Sequence, residues 1–365
     1  MKVGLAVVAA LLTACSALHR GPETARSRFP IGIYGVTDPG QLERIKRDGF
    51  DCFHTYDVDP ARLAALAAEA RRQGMRMVIY PNQLRDGALV ATRGWPIDAW
   101  YLQDEPDVVK MSSATLRALS ETTRAWDPER LQTFVIGQGA PASVYGEVGD
   151  ILMLDWYPVP HRPMETVAEQ IDLAMKALPP GKPLWMVVQA YDWADAVKDP
   201  VKRRGLRFPN HSELRFMAYA SVVHGARGIF FFTLAKQGRT LFDFPELWQA
   251  VARAAQELKG MQPIFERGRP IPLPFAPQPE GLEAKAWRYR GRDYVVLLNR
   301  SGALDRELPK ALLGRDWKPL YEARRDPRDL LKPTGGSWSL RPYQVLVLES
   351  RPNWLRRAAL LVLLR

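Results

Sequence analysis

The chain has 365 residues, 47% of them hydrophobic, with Lys+Arg 51 against Asp+Glu 40 and a net charge of +11. That length fits one large domain plus a small one, and that apolar content excludes global disorder. Two cysteines exclude a disulfide-stapled scaffold or a cysteine-rich zinc site, and five histidines with no HxxxH or HExxH spacing argue against a histidine metal centre.

At the N-terminus Lys2 precedes an apolar run at 3–12 and the small residues Thr13-Ala14-Cys15. The pattern is that of a signal peptide over 1–14, too short to span a bilayer as a helix. Leu12-Thr13-Ala14-Cys15 resembles a bacterial lipobox. The resemblance implies cleavage before Cys15 and lipid on its thiol. It also implies export and, with Ser16 following, an outer-membrane anchor facing the periplasm or the cell surface. An ordinary secretory signal is the alternative. Residues 15–28 are polar and basic and read as a tether. Cys52, in Phe50-Asp51-Cys52-Phe53, reads as a buried free thiol.

From Phe29 to Met261 short apolar runs alternate with helical patterns. Strands are predicted at 31–36, 52–56, 76–80, 99–103, 132–136, 151–154, 183–188 and 228–233, each too short for a helix. Among the intervening segments, 60–73 places Leu63, Leu66, Ala67 and Ala70 on one stripe. Residues 164–178 do the same with Val167, Ile171, Met175 and Leu178. Residues 212–224 begin at a Ser cap and end at Gly225. The stretches 83–95 and 141–149 read as loop or short helix. Eight strands with interposed helices predict an α/β fold, a (β/α)8 TIM barrel over 29–261. A doubly wound sheet is disfavoured because Gly32, Gly35 and Gly40 do not make GxGxxG.

After Met261 prolines at 263, 270, 272, 274, 277 and 279 read as a rigid connection. Alternating runs follow at 284–289, 294–299, 317–321 and 344–348, with a hairpin turn signal at Arg290-Gly291-Arg292-Asp293. They predict a small antiparallel β-sandwich domain over 262–350. Residues 351–365 form a basic-apolar tail too short to span.

In a barrel the functional groups lie at the C-terminal strand ends. Those ends carry Tyr34, His54, Tyr56, Tyr80, Asp104, Glu105, Gln138, Asp155, Tyr157, Gln189 and Thr233. In Tyr101-Leu102-Gln103-Asp104-Glu105-Pro106 two adjacent carboxylates repel, which raises one pKa as a general acid requires. Asp155-Trp156-Tyr157-Pro158 joins an acid to an aromatic platform for sugar CH faces, and Tyr191-Asp192-Trp193 adds more beyond Gln189.

With these motifs and the sandwich, the chain resembles glycoside hydrolases of the barrel type over 29–350. The resemblance implies Glu105 as acid/base. The chain departs from the large retaining superfamily, which has Asn where Asp104 stands and a nucleophilic Glu where Gln189 stands; an amide cannot be that nucleophile. Three readings stay open. Asp104-Glu105 could work as the adjacent pair of β-hexosaminidase-like enzymes, where the substrate's 2-acetamido group attacks. Asp155 or Asp192 could be the second carboxylate, as nucleophile or base. Or the site binds sugar without cleaving it, in a non-catalytic carbohydrate-binding envelope lipoprotein. Tyr34, His54, Tyr56, Tyr80, Trp156, Tyr157, Gln189, Asp192 and Trp193 are the expected substrate-binding residues.

No cofactor and no metal is expected. A competing divalent-metal reading would use Asp104, Glu105, Asp155 and His54. An exported protein is not expected to bind nucleic acid. The expected partners are a carbohydrate substrate and the membrane, through Cys15. Of the net charge, +9 falls at 262–365 and only +1 at 15–261. The charge therefore belongs to the C-terminal module, where it fits contact with an anionic surface.

Overall fold

The structure, a computed structural model, describes residues 28–81, 84, 92–236, 238–273, 280–309, 317–321, 332–334 and 337–350. The signal peptide, Cys15, nearly all of the tether, most of the 83–95 segment and the 351–365 tail lie outside the described residues.

Eight parallel strands close into a barrel in chain order: β1 (Ile31–Ile33), β2 (Cys52–His54), β3 (Arg76–Ile79), β4 (Ile97–Tyr101), β5 (Leu131–Ile136), β6 (Ile151–Trp156), β7 (Leu184–Gln189) and β8 (Ile229–Phe232). Ladder pairing of β1 with β8 completes the closure and excludes the doubly wound sheet. The predicted strands are all present, with ends displaced where pairing stops before the apolar run does. β1 ends at Ile33 because Gly35, at φ +77, leaves the extended conformation. Tyr34, Cys52, Val78, Ala99, Tyr101, Val135, Met153, Trp185 and Phe230 fill the barrel interior. Gly32 is required there: a Cβ would lie 2.2 Å from the Phe230 ring.

The described helices are α1 (Leu42–Arg47), α2 (Pro60–Gln73), α3 (Ser113–Trp126), α4 (Ala142–Tyr145), α5 (Thr166–Ala177), α6 (His211–Val223) and α7 (Pro245–Arg267). α2 starts at an Asp59 cap, ends at Gly74 in the left-handed region, and buries the predicted Leu63, Leu66, Ala67 and Ala70. Two details differ from expectation. Met175 of α5 is exposed and Ala174 takes its place in the core. α6 is capped by Asn210, whose side chain accepts from Glu213 N while Glu213 reaches back, so Ser212 lies inside the helix.

α7 runs past Met261 to Arg267 with Pro263 in its last turns. The change of pattern at 261 therefore lies inside a helix: the chain leaves the barrel layer only at Gly268. Beyond a small hairpin, β9 (Ala235–Lys236) and β10 (Arg239–Thr240), the remaining strands build two sheets. β11 (Arg269–Ile271), β12 (Leu282–Tyr289), β13 (Arg292–Asn299), β18 (Val345–Ser350) and β15 (Trp317–Pro319) form the larger. β14 (Arg306–Pro309), β17 (Ser337–Leu340) and β16 (Lys332–Thr334) form the smaller. The β12–β13 turn has Arg290 and Gly291 both at positive φ, as a two-residue hairpin requires.

Alternation explains why β13 is buried on both faces. Val295 and Leu297 face the smaller sheet, while Val296 and Leu298 belong to the core shared with the barrel helices. Polar bonds pin this contact. Arg215 of α6 pairs with Glu257 at 2.7 Å and donates to Val345 O, and Tyr343 OH donates to Glu165 at 2.7 Å.

Candidate active site

The strand alternation that fills the barrel also aims the acids. On β4, Ala99 and Tyr101 point inward while Trp100 and Leu102 pack under helices. The chain then turns: Glu105 sits at φ 42, a left-handed backbone for a bulky residue, and Pro106 is buried behind it. Such strain concentrates at functional sites because surrounding contacts must hold it. Asp104 Oδ1 accepts from Tyr101 OH at 2.6 Å, and the Tyr56 phenol is a second neighbour of the same carboxylate. Burial raises the Asp104 pKa, and the two phenols counter it.

Asp155, on the inward parity of β6, is 8% exposed. Its Oδ2 accepts from Tyr157 OH at 3.0 Å, and among the described residues its Oδ1 has no side-chain or backbone donor. The charge acting on it most strongly is that of the Glu105 carboxyl. Burial first, then the Glu105 charge, pushes the Asp155 carboxyl well above the usual range. Glu105 is also raised, by burial and then by Asp104, while Asp155 and the Lys236 ammonium act in the opposite sense. Neighbouring carboxyls oppose each other's ionisation, and burial adds to the cost, so both favour the protonated form more than free carboxyls do. Among the described residues none of Asp104, Glu105 and Asp155 is ion-paired with arginine or lysine.

An aromatic floor flanks this trio. Tyr157 stacks on Phe232 at 5.3 Å between ring centroids, and Tyr191 lies 5.2 Å from Tyr157 and 5.3 Å from Trp193. Tyr56 and Tyr80 form a wall whose rings are 6.5 Å apart. Phe232 and Lys236 belong to the site but escaped the sequence reading. Phe232 was accessible through its parity with Phe230; a two-residue strand around Gly238 leaves almost no pattern by which to place Lys236.

Several expected ligand contacts are elsewhere. Tyr34 and His54 are buried beneath the site, their rings 4.3 Å apart. Burial lowers the His54 pKa to about 3, so its imidazole is neutral. Trp156 is on the outward parity of β6: its Nε1 donates to Thr166 of α5 at 2.9 Å, and Arg162 covers its ring. Gln189 is fully buried; its amide accepts from Val159 N at 2.8 Å and donates to Val159 O at 2.7 Å, so it clamps the β6 loop. Asp192 caps the Trp193–Asp195 turn by accepting from Ala194 N at 2.8 Å, and the acids acting on Glu105 are Asp104, Asp155 and Asp107. Trp193 borders the floor and donates to Tyr157 O at 3.2 Å. Cys52 is a buried free thiol. Among the described residues no group of three or more His, Cys, Asp or Glu side chains is arranged to hold a metal ion.

No protein-family model and no curated protein matches the chain. Solved structures match its fold. An α-amylase from Geobacillus thermoleovorans with acarbose is 12% identical, with 91% of this chain and 99% of that chain covered and a TM-score of 0.53. A structure described as a glycoside hydrolase is 15% identical over 88% and 92% of the two chains, with a TM-score of 0.58. A glycoside hydrolase family 5 protein from Bacteroides vulgatus is 14% identical over 89% and 90%, with a TM-score of 0.57. The chain shares their architecture, barrel and β-domain together.

Proposed function

We propose that this protein is a glycoside hydrolase with Glu105 as its general acid. The observation that carries the reading is the trio Asp104, Glu105 and Asp155 at the barrel mouth, held by phenols and by each other without a basic ion-pair partner. A structural domain gains nothing from burying unneutralised acids, whereas a hydrolase gains a proton available near neutral pH. The fold neighbours, among them an amylase with acarbose, support a carbohydrate in this mouth.

The contact between Glu105 and Asp155 bears on mechanism. Glu105 and Asp155 act on each other as near neighbours. A retaining or inverting pair instead works with carboxyls ~5–5.5 or ~6.5–9.5 Å apart around the sugar carbon or a water, so we read this proximity as favouring the substrate-assisted mechanism. Asp155 is then the proton's reservoir. The proton passes along the shared bond to Glu105 and on to the leaving glycosidic oxygen as that C–O bond breaks. The 2-acetamido oxygen of the sugar attacks the anomeric carbon, and Asp104 accepts a hydrogen bond from the acetamido N–H. Water then opens the cyclic intermediate and returns a proton to Glu105. The substrates are envelope or extracellular glycans containing 2-acetamido sugars.

The test is turnover of paired aryl glycosides that differ only in a 2-acetamido or a 2-hydroxyl group, alongside envelope and exopolysaccharide glycans. Cleavage confined to acetamido sugars is expected. Cleavage of the 2-hydroxy partners at equal rate would move the nucleophile to a protein carboxylate. No turnover of any member would favour the carbohydrate-binding reading.

The proposal extends to location: export, lipid on Cys15, and contact of the basic C-terminal module with anionic headgroups. Mass spectrometry of the mature N-terminus and salt-reversible binding of the non-lipidated protein to anionic vesicles are the expected results. An unmodified Cys15, or no vesicle binding, would contradict the respective part.

A further inference from the structure

The hairpin after β8 carries one cation whose situation the hydrolytic reading does not use. Lys236 is half-buried, and its Nζ lies 4.3 Å from the Tyr191 ring centroid and 5.3 Å from that of Phe232. An ammonium has three N–H donors and no acceptor. Among the described residues Lys236 Nζ makes no hydrogen bond and has no carboxylate within ion-pair distance; Glu105 acts on it only as a more distant charge. Its neighbour on the hairpin differs. Arg239 pairs with Asp195 of the β7 loop and covers Phe244, so it ties the hairpin down and is already committed. The lysine is thereby held over the aromatic floor with its donors unmet, beside a small cavity lined in part by Tyr191, Thr233 and Thr240. A half-buried cation in a ligand cleft is best satisfied by a ligand anion, because hydrogen bonds between ionised groups are the strong ones.

We propose that Lys236 forms an anion subsite, so that the sugar lying on the Tyr157–Tyr191–Phe232 floor carries an anionic oxygen substituent, a carboxylate or a sulfate ester. The inference rests on the carbohydrate reading of the site. It deepens that reading by naming a substituent class that the three acids alone would not select. The raised Glu105 and Asp155 carboxyls are more easily protonated than free ones, which reduces the repulsion such a sugar meets. The ring floor accepts its CH face while the ammonium takes its anion.

The experiment titrates the full chain with glucose, glucuronate and glucose 6-sulfate, followed by intrinsic tryptophan fluorescence or ligand NMR. Free monosaccharides contain no glycosidic bond, so the result is independent of whether the protein hydrolyses anything. Wild type is expected to bind at least one of the two anionic sugars about tenfold more tightly than glucose, in a salt-sensitive manner. The carboxylate and sulfate arms show which anion is preferred. Lys236→Met should abolish the preference with an unchanged melting temperature, and Lys236→Arg should retain most of it. Equal binding of all three sugars by wild type, no detectable binding of either anion, or a preference that survives Lys236→Met would each overturn the proposal. A preference without hydrolysis of any glycan would remove the hydrolase reading and leave the subsite standing.

Discussion

At the scale of single residues, the Glu105–Asp155 pair has a cost that stability measurements can read. Both folded pKa values are raised by burial, that of Asp155 further by the Glu105 charge and that of Glu105 further by Asp104. A raised acid favours the protonated form in the fold, so its stabilising effect is complete below the unfolded carboxylate range. That effect is lost as pH rises through the folded value. At pH 8 the pair is therefore a liability, and Asp155→Asn, which keeps an acceptor for Tyr157 and gives Glu105 a donor, should raise Tm. About 2–4 °C is expected, the shift that ~1 kcal/mol produces in a large domain. The gain should vanish near pH 4, and activity should fall at every pH. A Tm that drops at pH 8 would show that Asp155 is not strained by its charge. Gly137 offers a second residue-level test. A Cβ there would lie 3.2 Å from Glu105 Oε1 and 2.9 Å from Val108 Cγ2. Gly137→Ala should displace the Glu105 carboxyl and reduce turnover at least ~10-fold with little loss of fold stability, because misplacement by a fraction of an ångström is costly in catalysis. Unchanged kinetics in this variant would mean the Glu105 position tolerates more than the mechanism allows.

At the scale of elements, Gln189 shows how a strand end serves its neighbour. Its amide closes on Val159 N and O and on Tyr191 O, fixing the loop that carries Tyr157 beside the loop that carries Trp193. Gln189→Ala leaves buried backbone groups unmet and should cost about 1–3 kcal/mol, read by denaturant unfolding. Gln189→Glu should be no better, because a buried carboxylate cannot donate to Val159 O. A neutral effect of both would remove the clamp. The strands themselves were legible because apolar β-branched and aromatic runs of four to six residues between helical patterns have few alternatives. Parity within a strand was the signal left unread. Counting inward from Met153 places Asp155 in the barrel and Trp156 under α5, which the composition of Asp155-Trp156-Tyr157 alone does not reveal. Glu105 and Asp104 were legible because adjacent acids after a buried strand are expensive. The approach of Glu105 to Asp155 was not, since it depends on the closure of β4, β5 and β6 side by side.

At the scale of the molecule, barrel and β-domain are joined through α6 and a histidine at its end. His224 Nδ1 faces Asp172 of α5 at 2.8 Å and Nε2 faces Glu283 of β12 at 2.9 Å. Burial lowers its pKa, but the hydrogen bonds to Glu283 and Asp172 outweigh it and the net direction is up. A raised histidine contributes stability that is complete below the unfolded value near ~6.5 and is lost as pH rises through the folded value. His224→Gln should therefore lower Tm by several degrees at pH 6 and by much less at pH 9. An equal loss at both would assign the contact to packing instead of charge. The boundary between the two units was placed a few residues early by the sequence because Pro263 reads as a breaker; in α7 it sits in the last turns of a long helix that tertiary packing holds together. The two-sheet core of the smaller unit was expected from its alternating runs, while β11, β14, β16 and β17 are too short and polar to announce themselves.

Strand parity, barrel closure and burial together bring Asp104, Glu105 and Asp155 to the barrel mouth and raise their pKa values. The most direct measurement is turnover of a 2-acetamido aryl glycoside by wild type and by Glu105→Gln, at equal folded fraction and across pH. The wild-type rate is expected to fall on the alkaline side as the raised Glu105–Asp155 pair ionises. Glu105→Gln is expected to lose about 10²–10⁴-fold, the range for removal of a general acid. Equal rates for the two proteins, with the same pH profile, would contradict a general-acid role for Glu105.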